Sequence, residues 1–219
     1  LLVPASGELM ARLASQGIEV ETIAPGEYHS GRKSLGDAIR FGGKLPGLAE
    51  GIQERIRRWK ADLVYVNGPR LLPAVALGRQ RRAVLFHAHS YLGSGPGRRA
   101  AGWALRHCGA TVAAVSHFVA DSLAPWVPAG RLHVIANGAA DLYRPHEGQY
   151  PCAGVVGRIA PEKGQREFVE AARLVLEAVP GCRFMICGAA LLARRDYEGE
   201  VQARAAGLPV EFTGWQEDV

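Results

Sequence analysis

The chain has 219 residues, 48% of them apolar and 21% charged, with a net charge of +5 and a pI near 9.2. These figures fit one large or two modest globular domains and exclude a disordered or low-complexity chain. The positive surplus suits an anionic partner, or else an arginine-rich surface. Its basic residues are dispersed apart from short groups at Arg55–Arg58, Arg79–Arg82 and Arg194–Arg195, and no group is interleaved with aromatics, so no nucleic-acid partner is expected. There is no run of roughly 18 apolar residues and no visible signal peptide. Cys108, Cys152, Cys182 and Cys187 form no C-x-x-C pair and read as buried free thiols of a reducing compartment, with no zinc site.

In chain order, Leu1–Pro4 reads as the end of a strand and Glu8–Ser15 as an amphipathic helix. Ile18–Ile23 alternates like a half-buried strand, and Ala24–Lys33 is a loop. Helices are predicted over Leu35–Phe41 and Leu48–Trp59, separated by Gly42, Gly43 and Pro46. Leu63–Val66 is a continuous apolar run suited to a buried parallel strand. Leu71–Leu77 follows as a helix, Ala83–Phe86 as a strand, Arg98–His107 as a helix and Ala110–Val115 as a strand. A helix from Ser116 to Ala124 and a strand over Leu132–Ile135 close this part. Asp141–Pro151, with two prolines and no periodicity, reads as an interdomain connection. Beyond it come a strand at Cys152–Val156, a helix from Gly164 to Val179, a strand at Arg183–Cys187, a helix at Asp196–Ala206 and a strand at Val210–Thr213. Short strands alternating with helices predict an α/β fold with parallel sheets, in two units, residues 1–145 and 146–219. Ligands of such sheets bind at the carboxyl ends of the strands.

One junction stands out. Between the strand ending at Val156 and the helix that follows lie Gly157, Arg158, Pro161, Lys163 and Gly164. Such a junction gathers free backbone N–H groups and the positive end of a helix dipole. Arg158 can fork onto paired anionic oxygens, and Lys163 adds a point charge. The combination suits a phosphate or diphosphate. It is not a P-loop, because the lysine precedes the glycine and Gln165 stands where Ser or Thr would follow.

Other candidates sit at strand ends. His87 and His89 follow the strand Ala83–Phe86, where an imidazole can donate a hydrogen bond, act as acid or base, or bond a nearby carbonyl. Ser116 is an N-cap candidate whose hydroxyl could also face a ligand. Asn137-Gly138 is a turn, and Gly188 ends a strand.

Taken together, these residues resemble the retaining glycosyltransferases of the group 1 family (family 4). The loop G-R-I-A-P-E-K-G, Gly157 to Gly164, matches that family's donor-diphosphate loop. Val115-Ser116-His117-Phe118-Val119 and Arg131–Pro145 match two further segments, with Ala140 standing where the family has Asp. Gly188 matches a glycine pair whose second member is here Ala.

The resemblance implies the GT-B fold: two Rossmann-like lobes, both incomplete, the acceptor-side lobe at 1–145 and the donor lobe at 146–219. It implies transfer of a sugar from a nucleotide-diphosphate sugar to a glycan, lipid-linked or small-molecule acceptor, with retention and without a metal or other cofactor. Catalytic roles fall to His89, Arg158 and Lys163. Donor contacts fall to Gly157, Arg158, Lys163, Gly164, Ser116, Asn137 and Gly188. The expected location is cytoplasmic, at or near the inner membrane face, with peripheral membrane contact through a basic face of Leu35–Trp59 as one option and a solvated face as the other. Against the family pattern both ends are short, so the chain reads as a fragment, inactive alone. Two alternatives stay open: a degenerate GT-B binding protein and a GT-B sugar-nucleotide epimerase.

Overall fold

The computed structural model describes residues 1–4, 7–25, 35–78, 82–138, 151–190 and 195–216. The chain divides into two compact units, Leu1–Ala140 and Asp141–Val219. The predicted connection lies outside the described residues except for Pro151.

The first unit opens with a short parallel pair, β1 (Leu2–Val3) and β2 (Glu21–Thr22), joined by α1 (Glu8–Ser15). The alternating stretch Ile18–Ile23 forms a strand over only two of its residues. The main sheet has four parallel strands in the order β3 (Leu63–Asn67), β4 (Ala83–Ala88), β5 (Thr111–Ala114) and β6 (Leu132–Val134). Val66, Val84, Phe86, Ala88, Val112 and Ala114 all point to one face and are buried there. That face packs against α2 (Leu35–Arg58), α3 (Leu72–Leu77) and α4 (Pro96–Cys108), and α5 (His117–Asp121) sits beside β5 and β6. The other face carries Tyr65, Leu85, His87 and Ala113 and is exposed or half-buried. β3 is therefore not the fully buried strand its apolar run predicts. It lies at the sheet edge, with Leu63 and Tyr65 open to solvent.

The two helices expected around Gly42, Gly43 and Pro46 are one. α2 runs unbroken for 24 residues with Pro46 inside it. Phe41, Leu45, Leu48, Ile52 and Ile56 recur every three or four residues straight through the proline, and all join the core. Burial of that stripe outweighs the roughly 3 kcal/mol that an interior proline costs and the roughly 1 kcal/mol for each glycine. The carboxyl end of α2 is tied back to β2. Glu21 accepts from Arg55 at 3.0 Å and also pairs with Arg58.

The second unit is a three-stranded parallel sheet, β7 (Cys152–Val156), β8 (Arg183–Cys187) and β9 (Val210–Gly214), with α6 (Gln165–Ala178) and α7 (Arg195–Ala205). Ala153, Val155, Phe184, Ile186 and Phe212 face the helices, where Val169, Ala172 and Val201 meet them. On the surface Arg204 of α7 pairs with Glu170 of α6 at 3.2 Å. Here too the opposite sheet face is open, with Cys152 and Val156 exposed. The expectation of four buried thiols holds for Cys182 and Cys187. Cys152 is exposed, and Cys108 is half-buried, where burial pushes its thiol pKa up.

A candidate diphosphate loop and a second strand edge

In the second unit, β7 ends at Val156 and the chain turns over the end of β8. Gly157 donates its N–H to the Cys187 carbonyl at 2.9 Å, and Ile159 donates to Ala189 at 3.0 Å. Gly188 then crosses Gly157 so closely that a Cβ on Gly188 would lie 2.0 Å from the Gly157 carbonyl oxygen. Gly188 also holds φ at 136°, a region costly for any side chain. Its N–H donates to Gly214 at the end of β9. Three strand ends are thus laced together beneath the loop.

The loop itself forms a short 3₁₀ turn, Pro161–Lys163, and Gly164 caps α6 in the left-handed conformation (φ 74°). Beneath it, Gln165 is completely buried. Its Oε1 accepts from the Ala160 N–H at 3.3 Å, and its Nε2 donates to the Arg158 carbonyl at 3.0 Å. One amide therefore closes the turn from inside, which leaves Arg158 and Lys163 to project outward. Ile159 and Ala160, both buried, pin the turn to the core.

The two cations differ. The Arg158 guanidinium is held by Glu162 at 2.8 Å, an i,i+4 pair at a partly exposed site. Lys163 is exposed, and its Cδ would touch a Cβ placed on Gly157 at 4.0 Å, so the lysine stem lies across Gly157. Among the described residues Lys163 has no acidic partner. The first turn of α6 has fewer free donors than a strand–helix junction implies. Arg166 N–H donates to the Tyr197 hydroxyl at 3.4 Å. The Glu167 carboxyl is held below the usual carboxylate range by its proximity to its own backbone N–H and by Arg166 at 3.1 Å.

In the first unit, His89 and Ser116 lie just beyond the carboxyl ends of the neighbouring strands β4 and β5. His87, inside β4, shares a hydrogen bond of 2.5 Å with the Tyr65 hydroxyl through Nδ1. The rings of His87 and His89 lie 3.9 Å apart at 40°. Ser116 caps α5, its Oγ accepting from Val119 N–H at 3.2 Å. Asn137 and Gly138 follow β6 and are exposed. Ala140 and Asp141 lie outside the described residues. No cluster of three or more His, Cys, Asp or Glu with metal-holding geometry occurs among the described residues. No helix among them is long and apolar enough to cross a membrane. A surface hollow of about 510 Å³, lined by Arg106, Trp126 and Arg131 among others, lies at the opposite, amino edge of the sheet.

The structure thus groups Gly157, Arg158, Lys163, Gly164 and Gly188 at one strand edge, and His89, Ser116 and Asn137 at the edge of the other sheet. Gln165, Tyr197, Glu162 and Tyr65 were not singled out by sequence reasoning. For Gln165 a signal existed: an amide directly after a capping glycine, at the first position of an amphipathic helix. For Tyr197 there was none, since its partner is 31 residues away.

Two parallel α/β units with ligand-type junctions at the carboxyl ends of their strands define an incomplete GT-B fold. The chain belongs to Glycosyltransferase Family 4, whose model matches residues 7–140. The donor-type loop lies beyond that match and is covered by structural likeness. HepE of Anabaena, solved with UDP and glucose, superposes with a TM-score of 0.72 at 22% identity, over 99% of this chain and 61% of its own. A glycosyltransferase of Rickettsia africae gives 0.66 at 17% identity, over 97% and 59%. The lipopolysaccharide outer core galactosyltransferase WaaB gives 0.63 at 15% identity, over 93% and 54%. The chain therefore spans about three-fifths of the length of HepE and of the Rickettsia glycosyltransferase, and about half that of WaaB. A comparison with curated proteins returned no significant match.

Proposed function

We propose that this chain forms the core of a glycosyltransferase that moves a sugar from a nucleotide-diphosphate sugar to a glycan, lipid-linked or small-molecule acceptor, with retention at the transferred carbon. The observation that carries this reading is the loop Gly157–Gly164, closed from inside by Gln165 and presenting an exposed Lys163, with no acidic partner among the described residues, beside Arg158. As the glycosidic bond breaks, negative charge builds on the leaving diphosphate. Fixed cations stabilise that charge more than they stabilise the ground state, which is what lowers a barrier. Arg158 and Lys163 then supply the counter-charge, and no metal is required. Arg158 forks onto the diphosphate oxygens by exchanging Glu162 for them. Gly157 and Gly188 have no side chains, which lets the diphosphate approach the backbone. His89, beyond β4, hydrogen-bonds the sugars at the reacting end, with Ser116 and Asn137 alongside. HepE, solved with UDP-glucose, supports a nucleotide-sugar donor for this fold.

The test is UDP release from a panel of UDP-sugars by the full gene product, with and without EDTA. Release that survives EDTA and falls about a hundredfold in Lys163→Ala supports the reading. A Lys163→Ala protein with undiminished turnover sinks it. NMR of the product anomer decides retention.

A further inference from the structure

Beside His89 and Ser116 stands a feature the diphosphate chemistry does not use. Tyr91 and Phe118 are stacked, ring centroids 4.5 Å apart and planes at 21°, yet both are exposed, Tyr91 at 45% and Phe118 at 67%. They come from different elements, and each lies two residues past a candidate site residue. Two hydrogen bonds fix them. The Ser116 cap sets the first turn of α5, which buries Val119 and Ala120 and turns Phe118 outward. The Leu92 N–H donates at 3.4 Å to the buried Ser122 hydroxyl, which ties the loop carrying Tyr91 to the same helix. What sets the pair apart from other exposed apolar residues is that it is pre-stacked and lies at the strand edge that carries His89 and Ser116.

We propose that the Tyr91–Phe118 pair is a stacking platform for a pyranose ring of the acceptor. This rests on the glycosyl-transfer reading above. A pyranose has an apolar C–H face and a rim of hydroxyls. The stacked rings offer the apolar contact, and the exposed Asp121, one helical turn from Phe118, and the exposed Ser90, next to Tyr91 in sequence, offer hydrogen bonds. A lipid-seeking patch would be rimmed by Lys or Arg instead. Here the nearest charged neighbour in sequence is Asp121, which repels anionic headgroups.

The experiment is saturation-transfer NMR on the whole chain with methyl β-D-glucopyranoside, whose H1, H3 and H5 share one apolar face. Saturation concentrated on those protons is expected. It should need about three- to tenfold more sugar in Phe118→Ala and Tyr91→Ala. Tyr91→Phe, which keeps the ring, should restore it. Trp103→Ala, which removes an exposed aromatic on α4, should leave it intact. Saturation spread evenly over the sugar, or unaltered in Phe118→Ala, overturns the platform. So does octyl β-D-glucopyranoside saturated on its chain rather than its ring. UDP release by the full gene product is read separately. Its absence with ring stacking intact defeats the transfer reading and with it the acceptor role, leaving only a pyranose-binding surface; its presence without stacking defeats the platform alone.

Discussion

Gly188 and Gly157, at the ends of adjacent strands, sit so close that a methyl group on Gly188 would be 2.0 Å from the Gly157 carbonyl oxygen and 2.8 Å from its carbon. Backbone cannot yield as a flexible side chain does, and φ of 136° at Gly188 adds strain. Gly188→Ala is expected to destabilise the chain by about 2–4 kcal/mol and to displace the loop Gly157–Gly164. The fall in urea midpoint, at unchanged m-value, measures it.

Glu162 holds Arg158 in the free loop, with Arg158 at 34% and Glu162 at 51% side-chain exposure, so the pair adds only about 0.5 kcal/mol to stability. Toward the diphosphate proposed to bind Arg158, the same carboxylate is a competitor and a like charge. Glu162→Gln is therefore expected to leave the urea midpoint nearly unmoved while tightening UDP binding several-fold at low salt. Calorimetric titration of UDP at two ionic strengths checks this, because a charge effect must shrink as salt rises.

Pro46 is exposed within α2 and denies one backbone hydrogen bond to the helix. Pro46→Ala restores an N–H at that position and removes the ring clash. Against this, the unfolded chain gains freedom. A net gain of about 1–2 kcal/mol is expected. A loss of stability would show that the proline sets a bend on which the buried stripe depends.

Glu167 sets a pH dependence. Its folded-state carboxyl is held below the ordinary value of 4.5 by its own backbone N–H and by Arg166. The unfolded chain therefore takes up this proton first as pH falls. The stabilisation is complete above about 4.5 and is lost as pH drops through the folded value. Glu167→Gln should flatten the acid limb of a stability-versus-pH curve, with wild type and variant converging at the low end. A constant offset across that range would count against the assignment.

The strand–turn–helix junction at Gly157–Gly164 was legible in the sequence because all its bonds are local. Strand, glycine, arginine, lysine and capping glycine lie within ten residues, and a parallel strand followed by a helix puts that spacing at a strand edge. Ser116 was legible for the same reason, since a cap bonds three residues ahead. The order of alternating strands and helices, and hence α/β units with parallel sheets, also followed from short-range periodicity. Tertiary structure alone decided the rest. The propensities of Gly42, Gly43 and Pro46 favour a break, and only the sheet face that buries Phe41 through Ile56 reverses it. LVYV reads as doubly buried, but only one face of its sheet is covered by helices, and on the open face Tyr65 meets His87. Gln165 reads as a helix-surface residue until Arg158 and Ala160 close over it. Tyr91 and Phe118 are 27 positions apart, and nothing in either segment names the other. Hydrogen-bonding distance along the chain is set by backbone geometry and can be read from spacing. Which side chains meet across elements is set by how whole faces pack, and that is a property of the folded chain.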